Sequence, residues 1–260
     1  MSTPKAVART AERNPLVRVL ARVGTATIGL LHILIGGIAI AVAFGAGGDA
    51  DQSGALQALV DVPGGLFVVW AAIVGLVALT LWQILQSVVA RKGGQRILEI
   101  AKGVVYAVLA VTAITIAAGS RQDASSTEKS ASAGLLAQPG GVFVLGLIGL
   151  VVLGIGIGFI VSGVRKTFER GLALPANRLA TVTVTLGRIG YIAKGIALGI
   201  VGALVVAGAL TYDPELAGGL DGALKALTRV PFGVVLLVAM GLGLIAYGVF
   251  WCVRSVAIRL

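Results

Sequence analysis

Six stretches of this chain are each long and apolar enough to cross a bilayer, which leaves few other ways to fold. A hydrocarbon core about 30 Å thick needs about 20 apolar residues in a helix. The stretches are Val23–Ala46, Gly64–Ala90, Ile97–Ala118, Gly140–Val164, Gly187–Leu210 and Pro231–Val253. Each must be helical, because lipid offers no partner to an open backbone N–H or C=O. Composition agrees: the AVILMFWYC set makes up 57% of 260 residues, 38 residues are glycine and 12% are charged. A soluble chain carries about a quarter charged residues, and disorder needs low hydrophobicity. The first stretch also exceeds the roughly 7–15 residues of a secretory h-region, so it reads as a span despite the small residues Ala41–Ala43 near its end.

The charges predict a sidedness. An even number of crossings places both termini together. That side, with the loop near residue 92 and the 165–188 linker, holds 17 of the 21 Lys+Arg, from Lys5 to Arg259. Arg121, Lys129, Lys225 and Arg229 fall on the other side, with eight of the 11 acids. This asymmetry predicts that both termini are cytoplasmic. It also accounts for the net charge of +10 without nucleic acid: the cations sit where anionic headgroups would meet them.

The chain repeats itself. Aligning Gly29, Gly103 and Gly195 brings Arg22, Arg96 and Arg188 into register and pairs Lys102 with Lys194. Further on, Pro63, Pro139 and Pro231 align, as do Gly65, Gly141 and Gly233. The predicted fold is therefore all-α: six transmembrane helices as three tandem hairpins, arranged with pseudo-threefold symmetry. Copies span 21–92, 96–166 and 187–257, after a basic tail (1–20) and around a linker (167–186). Two helices per copy make the repeats parallel, related by an axis along the membrane normal. Gly195, Gly199 and Gly202 share a helix face, matched by Gly29, Ile33 and Gly36, and by Gly103, Ala107 and Ala110. Small residues let helices approach closely in lipid, so these faces are expected to form helix contacts near the axis. Gly54–Val62 and Gly222–Val230 read as short surface helices stopped by proline, with Asp51 or Ser53, and Asp221, as N-caps.

With RIGYIAKG (188–195), GALKAL and VPFG (222–233) and GLGLIAYG (241–248), the chain resembles the bacterial membrane family catalogued as domain of unknown function 1206. The resemblance implies a three-copy, six-span membrane protein. It implies no activity, and no functional residue is carried over from it.

Chemistry-bearing residues are few. One cysteine, Cys252, and one histidine, His32, cannot build a zinc, haem or iron–sulfur site, so no metal, cofactor or catalytic residue is expected. His32 lies about 15 Å along a helix from Arg22. An ionisable residue at that depth is a functional hypothesis; the alternative is a neutral imidazole bonded across helices. Lys102 and Lys194 sit about 9 Å inside Arg96 and Arg188. They could bind an anionic headgroup or substrate, or snorkel to the interface. Glu99 can pair with Lys102, three residues on. Aromatics near span ends, including Trp70, Trp82 and Trp251, fit interfacial belts. Gly241-Leu-Gly243-Leu-Ile-Ala246 fits a dinucleotide pattern but has no strand before it.

Absent chemistry points first to a non-enzymatic scaffold or accessory subunit with a membrane-protein partner. The alternative is a small-solute or lipid transporter with its path near the axis. A lipid-modifying enzyme would need acid–base pairs at the interface; Glu99 with Lys102 is the one pair that suggests it, and a packed ion pair explains that spacing.

Overall fold

The computed structural model describes residues 15–90, 93–121, 123–169, 178–228 and 230–257. Residues 1–14, Arg91, Lys92, Arg170, Arg229 and Arg259, which count in the charge asymmetry, lie outside the described residues. Among the described residues, six helices are long and apolar enough to cross a membrane. They are α1 (Pro15–Ala43), α3 (Gly65–Val89), α4 (Gly93–Ala117), α6 (Gly141–Arg165), α7 (Arg178–Thr211) and α9 (Gly233–Ala257). Three shorter helices, α2 (Gln52–Val60), α5 (Ala124–Leu136) and α8 (Gly219–Leu227), each precede the second long helix of a copy. They share the face away from the termini, here the distal face. Helix α7 begins at Arg178, so the linker is shorter than expected.

A turn repeats three times before the second long helix. In Pro63-Gly64-Gly65, Pro139-Gly140-Gly141 and Pro231-Phe232-Gly233 the middle residue is left-handed, with φ of 80°, 80° and 61°. The glycine after it donates its N–H three residues back, past the proline, to the carbonyls of Val62, Gln138 and Val230 at 2.8, 2.9 and 2.9 Å. A side chain on that glycine would collide with the carbonyl of Leu59, Leu135 or Leu227. The P-x-G signature thus has a steric cause. Only Phe232 bears the left-handed geometry without being glycine, at a cost of about 1–2 kcal/mol.

The closest helix pairs are α3 with α4, α6 with α7, and α9 with α1. In each, the second long helix of one copy lies on the first of the next, and the last copy returns to the first. Glycine explains two of them. Gly29 and Gly36 lie against the backbone of Gly248 and Gly241; Gly195 and Gly202 lie in the same register against Gly156 and Gly149. The expected small-residue faces therefore join different copies. In the third pair Gly103 faces only the Cβ of Gln83, at 3.3 Å. Gly199 sits on the same face, but its own Cβ direction is open, with Leu153 4.0 Å away.

Contacts within a copy differ. In copy 3, Gly190 meets the backbone of Tyr247, and Gly243 meets Ala193. In copy 1, Gly24 and Gly75 make the equivalent crossing, with Leu79 against Gly24. In copy 2 the equivalent residues are Leu98, Val151 and Ile155, and α4 and α6 form no packed interface among the described residues. The helices thus follow the order α4, α3, α1, α9, α7, α6, with an open seam between the two ends. Those flanking helices are the least covered: 17% of the α6 span is buried, against 56% of α9.

Candidate functional site

Helices α1 and α7 do not pack along their lengths, but one long side chain bridges them. Lys194 Nζ lies 2.9 Å from His32 Nε2. The other ring nitrogen, Nδ1, lies 2.7 Å from the Ile28 carbonyl oxygen. A carbonyl only accepts, so Nδ1 carries the proton and donates. Nε2 then offers its lone pair to the lysine. The neutral imidazole bonded across helices is therefore present, but its partner is a charged-type side chain rather than a bland one. His32 is at the middle of the span Arg22–Ala43, and Lys194 lies in α7 one turn before Leu198, the repeat equivalent of His32. Lys194 thus turns inward and does not snorkel, because the ring of His32 gives it an acceptor at depth.

Aromatic faces complete the surroundings. Lys194 Nζ sits 4.5 Å from the Tyr247 ring centre on α9 and 5.2 Å from Phe159 on α6. Both distances are within reach of a cation–π attraction. The His32 and Tyr247 rings are 4.8 Å apart. Tyr191 packs on Phe159, Phe168, Tyr247 and Phe250. Tyr191 and Tyr247 are buried and build an internal cluster. All three copies contribute, through His32, Phe159, and Lys194 with Tyr247. Among the described residues, no carboxylate forms an ion pair with Lys194. A lysine held inside a span with no carboxylate beside it is rarely incidental.

Lys102 behaves differently, although it is Lys194's repeat equivalent. It pairs with Glu99 at 3.0 and 3.2 Å, as the spacing predicts. Glu99, Lys102 and Tyr106 share one face of α4 by helical spacing, and each is half-buried. Tyr106 packs with the core cluster that includes Leu31, Ile35 and Ala197. That face therefore looks toward the bundle interior. Nothing local reveals the Lys194–His32 pair in the sequence, since 162 residues separate its members.

A second polar assembly ties the copies together on the distal face. Asp51 caps α2, accepting from the Gly54 N–H and the Ser53 hydroxyl. Asp221 is not the N-cap of α8, a place held by Gly218. It sits in the first turn and accepts the Ala50 N–H at 2.9 Å, joining copy 3 to copy 1. Lys225 bonds Asp221 at 2.8 Å and Asp49 at 3.2 Å. From α5, Lys129 reaches Glu215 at 2.8 Å. Asp221, Lys225, Lys129 and Glu215 line a cavity of about 250 Å³ with Asp123, Ser125 and Leu204.

The distal carboxylates crowd Glu128. Burial, then Asp51, Asp123 and Asp221, raise its pKa from 4.5 to about 7. The folded state holds this proton more tightly than the unfolded state. Stability is thus lost as pH climbs from about 4.5 through about 7. Lys129 and Lys225 are the nearby cations. Glu128→Gln is expected to flatten the fall in Tm between pH 5 and pH 8. An equally steep fall in the variant would assign it elsewhere, with Asp51 next: burial first, then the neighbouring aspartates, raise its carboxyl too.

The family described as Domain of Unknown Function (DUF1206) matches residues 23–90, 99–166 and 189–257, and the chain belongs to it. An "Uncharacterized protein YxxB" of Bacillus subtilis (strain 168) is 31% identical over 255 residues, covering 94% of this chain and 92% of that one. No solved structure matches the chain.

Proposed function

We propose that this protein is a non-enzymatic carrier for a small solute or lipid, with Lys194 and His32 as its binding centre. We place it in a bacterial inner membrane with cytoplasmic termini, as the charge asymmetry supports. The observation that carries the reading is a lysine inside a span with an imidazole but no carboxylate for a partner. Helix packing does not require either residue. Copy 1 has Ile28 where copy 3 has Lys194, and copy 3 has Leu198 where copy 1 has His32. The accessory-subunit reading leaned on missing deep chemistry, and this pair removes that support.

Native mass spectrometry of the full chain, extracted from its own membrane with minimal detergent, tests the reading. The wild type is expected to retain a small molecule or lipid that Lys194→Met loses by at least tenfold, with unchanged gel-filtration behaviour. A stoichiometric second polypeptide, with the same small molecules on both forms, would instead restore the accessory-subunit reading.

A further inference from the structure

We propose that the seam between α4 and α6 is a lateral entrance, through which a long-chain carboxylic acid passes from the bilayer to Lys194. The inference rests on the carrier reading and names its substrate class and route. Three observations meet here. Copies 1 and 3 close their own helix pairs over small residues, Gly24 on Gly75 in one, and Gly190 on Tyr247 with Gly243 on Ala193 in the other. Copy 2 carries Leu98 and Val151 at those positions, and its pair stays apart. Val151 and the neighbouring Ile155 are 54% and 48% exposed, so α6 offers the seam an apolar edge.

The interior behind the seam is polar on one side. Tyr106 and the Glu99–Lys102 pair share the inward face of α4. Lys194 is bonded or ringed from α1, α6 and α9, and α4 gives it no hydrogen bond or ring among the described residues. Its own surface is only half-buried, whereas His32 and Tyr247 are buried. The proposed approach to the amine is therefore from the α4 side, which gives it no hydrogen bond or ring.

Charge selects the occupant. The pair can hold one positive charge, which a single carboxylate balances. A phosphate dianion would bring an excess charge into a dry site, where uncompensated charge is expensive. A carboxylic acid can also cross the apolar edge in its neutral form. At the site its O–H bond breaks and the proton forms an N–H bond on the Lys194–His32 pair. The carboxylate remains hydrogen-bonded to the resulting cation, and the acyl chain lies back through the seam.

Palmitic acid carrying a diazirine in its chain tests this on the full-length protein in phosphatidylcholine nanodiscs. Photolabel is expected on peptides of α4 and α6, at least tenfold weaker in Lys194→Met. Leu98→Gly with Val151→Gly gives copy 2 the small residues of the other copies and is expected to cut the label at least fivefold. Ile155→Trp, which fills the seam from an exposed position, is expected to do the same without relying on closure. Label spread evenly over lipid-facing helices, or unchanged in Lys194→Met, would overturn the proposal. So would equal labelling by phosphatidic acid bearing the same chain. If palmitate fails while native mass spectrometry still finds a Lys194-dependent small molecule, the carrier reading stands and this substrate falls.

Discussion

Alanine at Gly195 is expected to destabilise the bundle by about 3 kcal/mol, the upper end of overpacking costs, while alanine at Gly199 is tolerated. Both glycines share a small-residue face on α7, so sequence alone ranks them together. Geometry separates them. A Cβ at Gly195 would sit 2.6 Å from the Gly156 oxygen, 2.7 Å from Ile160 Cγ1 and 2.8 Å from the Ile160 nitrogen. Two of those three atoms are backbone and cannot swing away. A Cβ at Gly199 finds nothing closer than Leu153 Cδ1 at 4.0 Å. There the ordinary preference of helices for alanine over glycine, about 0.5–1 kcal/mol, sets the sign. Gly29→Ala and Gly202→Ala should behave like Gly195→Ala, because Gly248 O and Leu153 N lie 2.6 and 2.5 Å from their respective Cβ positions. Gly158→Ala, with open space around it, is the control on the facing helix. Thermal unfolding in detergent, followed by fluorescence-detected gel filtration, measures the series. Equal losses at Gly195 and Gly199 would mean that the α6–α7 crossing is not held as described.

Gly195 and Gly199 also show where sequence reading ends. Span number and repeat register are legible because hydropathy and the P-x-G turns are local. Lipid demands about 20 apolar residues whatever the neighbours are, and the turn glycines are forced by carbonyls six residues away, such as Leu59 for Gly65. Helix partners are another matter. A hairpin invites pairing within each copy, yet the closest contacts join successive copies, because Gly29 and Gly36 meet Gly248 and Gly241 from the far end of the chain. Lys194 was open to two readings for the same reason. Its acceptor lies on α1, and only the return of copy 3 to copy 1 brings them together. Tyr247 and Tyr191 carry no local mark of an internal cluster either; the packing of their helices buries them.

Lys225→Met is expected to cost about 3 kcal/mol, the scale of a broken buried pair, and Asp221→Asn in the same chain to restore much of it. Asp221 is 3% exposed and fixes the Ala50 N–H of copy 1. Its other oxygen relies on Lys225 at 2.8 Å. Removing the lysine leaves a buried carboxylate beside Asp49 and Asp51, with no cation in contact. Asparagine keeps an acceptor for Ala50 and removes the charge, so the double variant should lose far less than the sum of the single ones. The pH dependence separates this clasp from Glu128. Burial works against the Lys225 cation, but its bonds to Asp221 and Asp49 outweigh burial and raise its pKa above 10.5. A cation whose folded pKa is raised contributes fully below its unfolded value, and the contribution is lost as pH rises through the folded one. The Lys225 effect should therefore be constant from pH 5 to pH 8, the window in which Glu128 acts. A Lys225→Met loss that changes steeply across that window, or a double variant no better than Lys225→Met, would show that copies 1 and 3 are joined by other contacts.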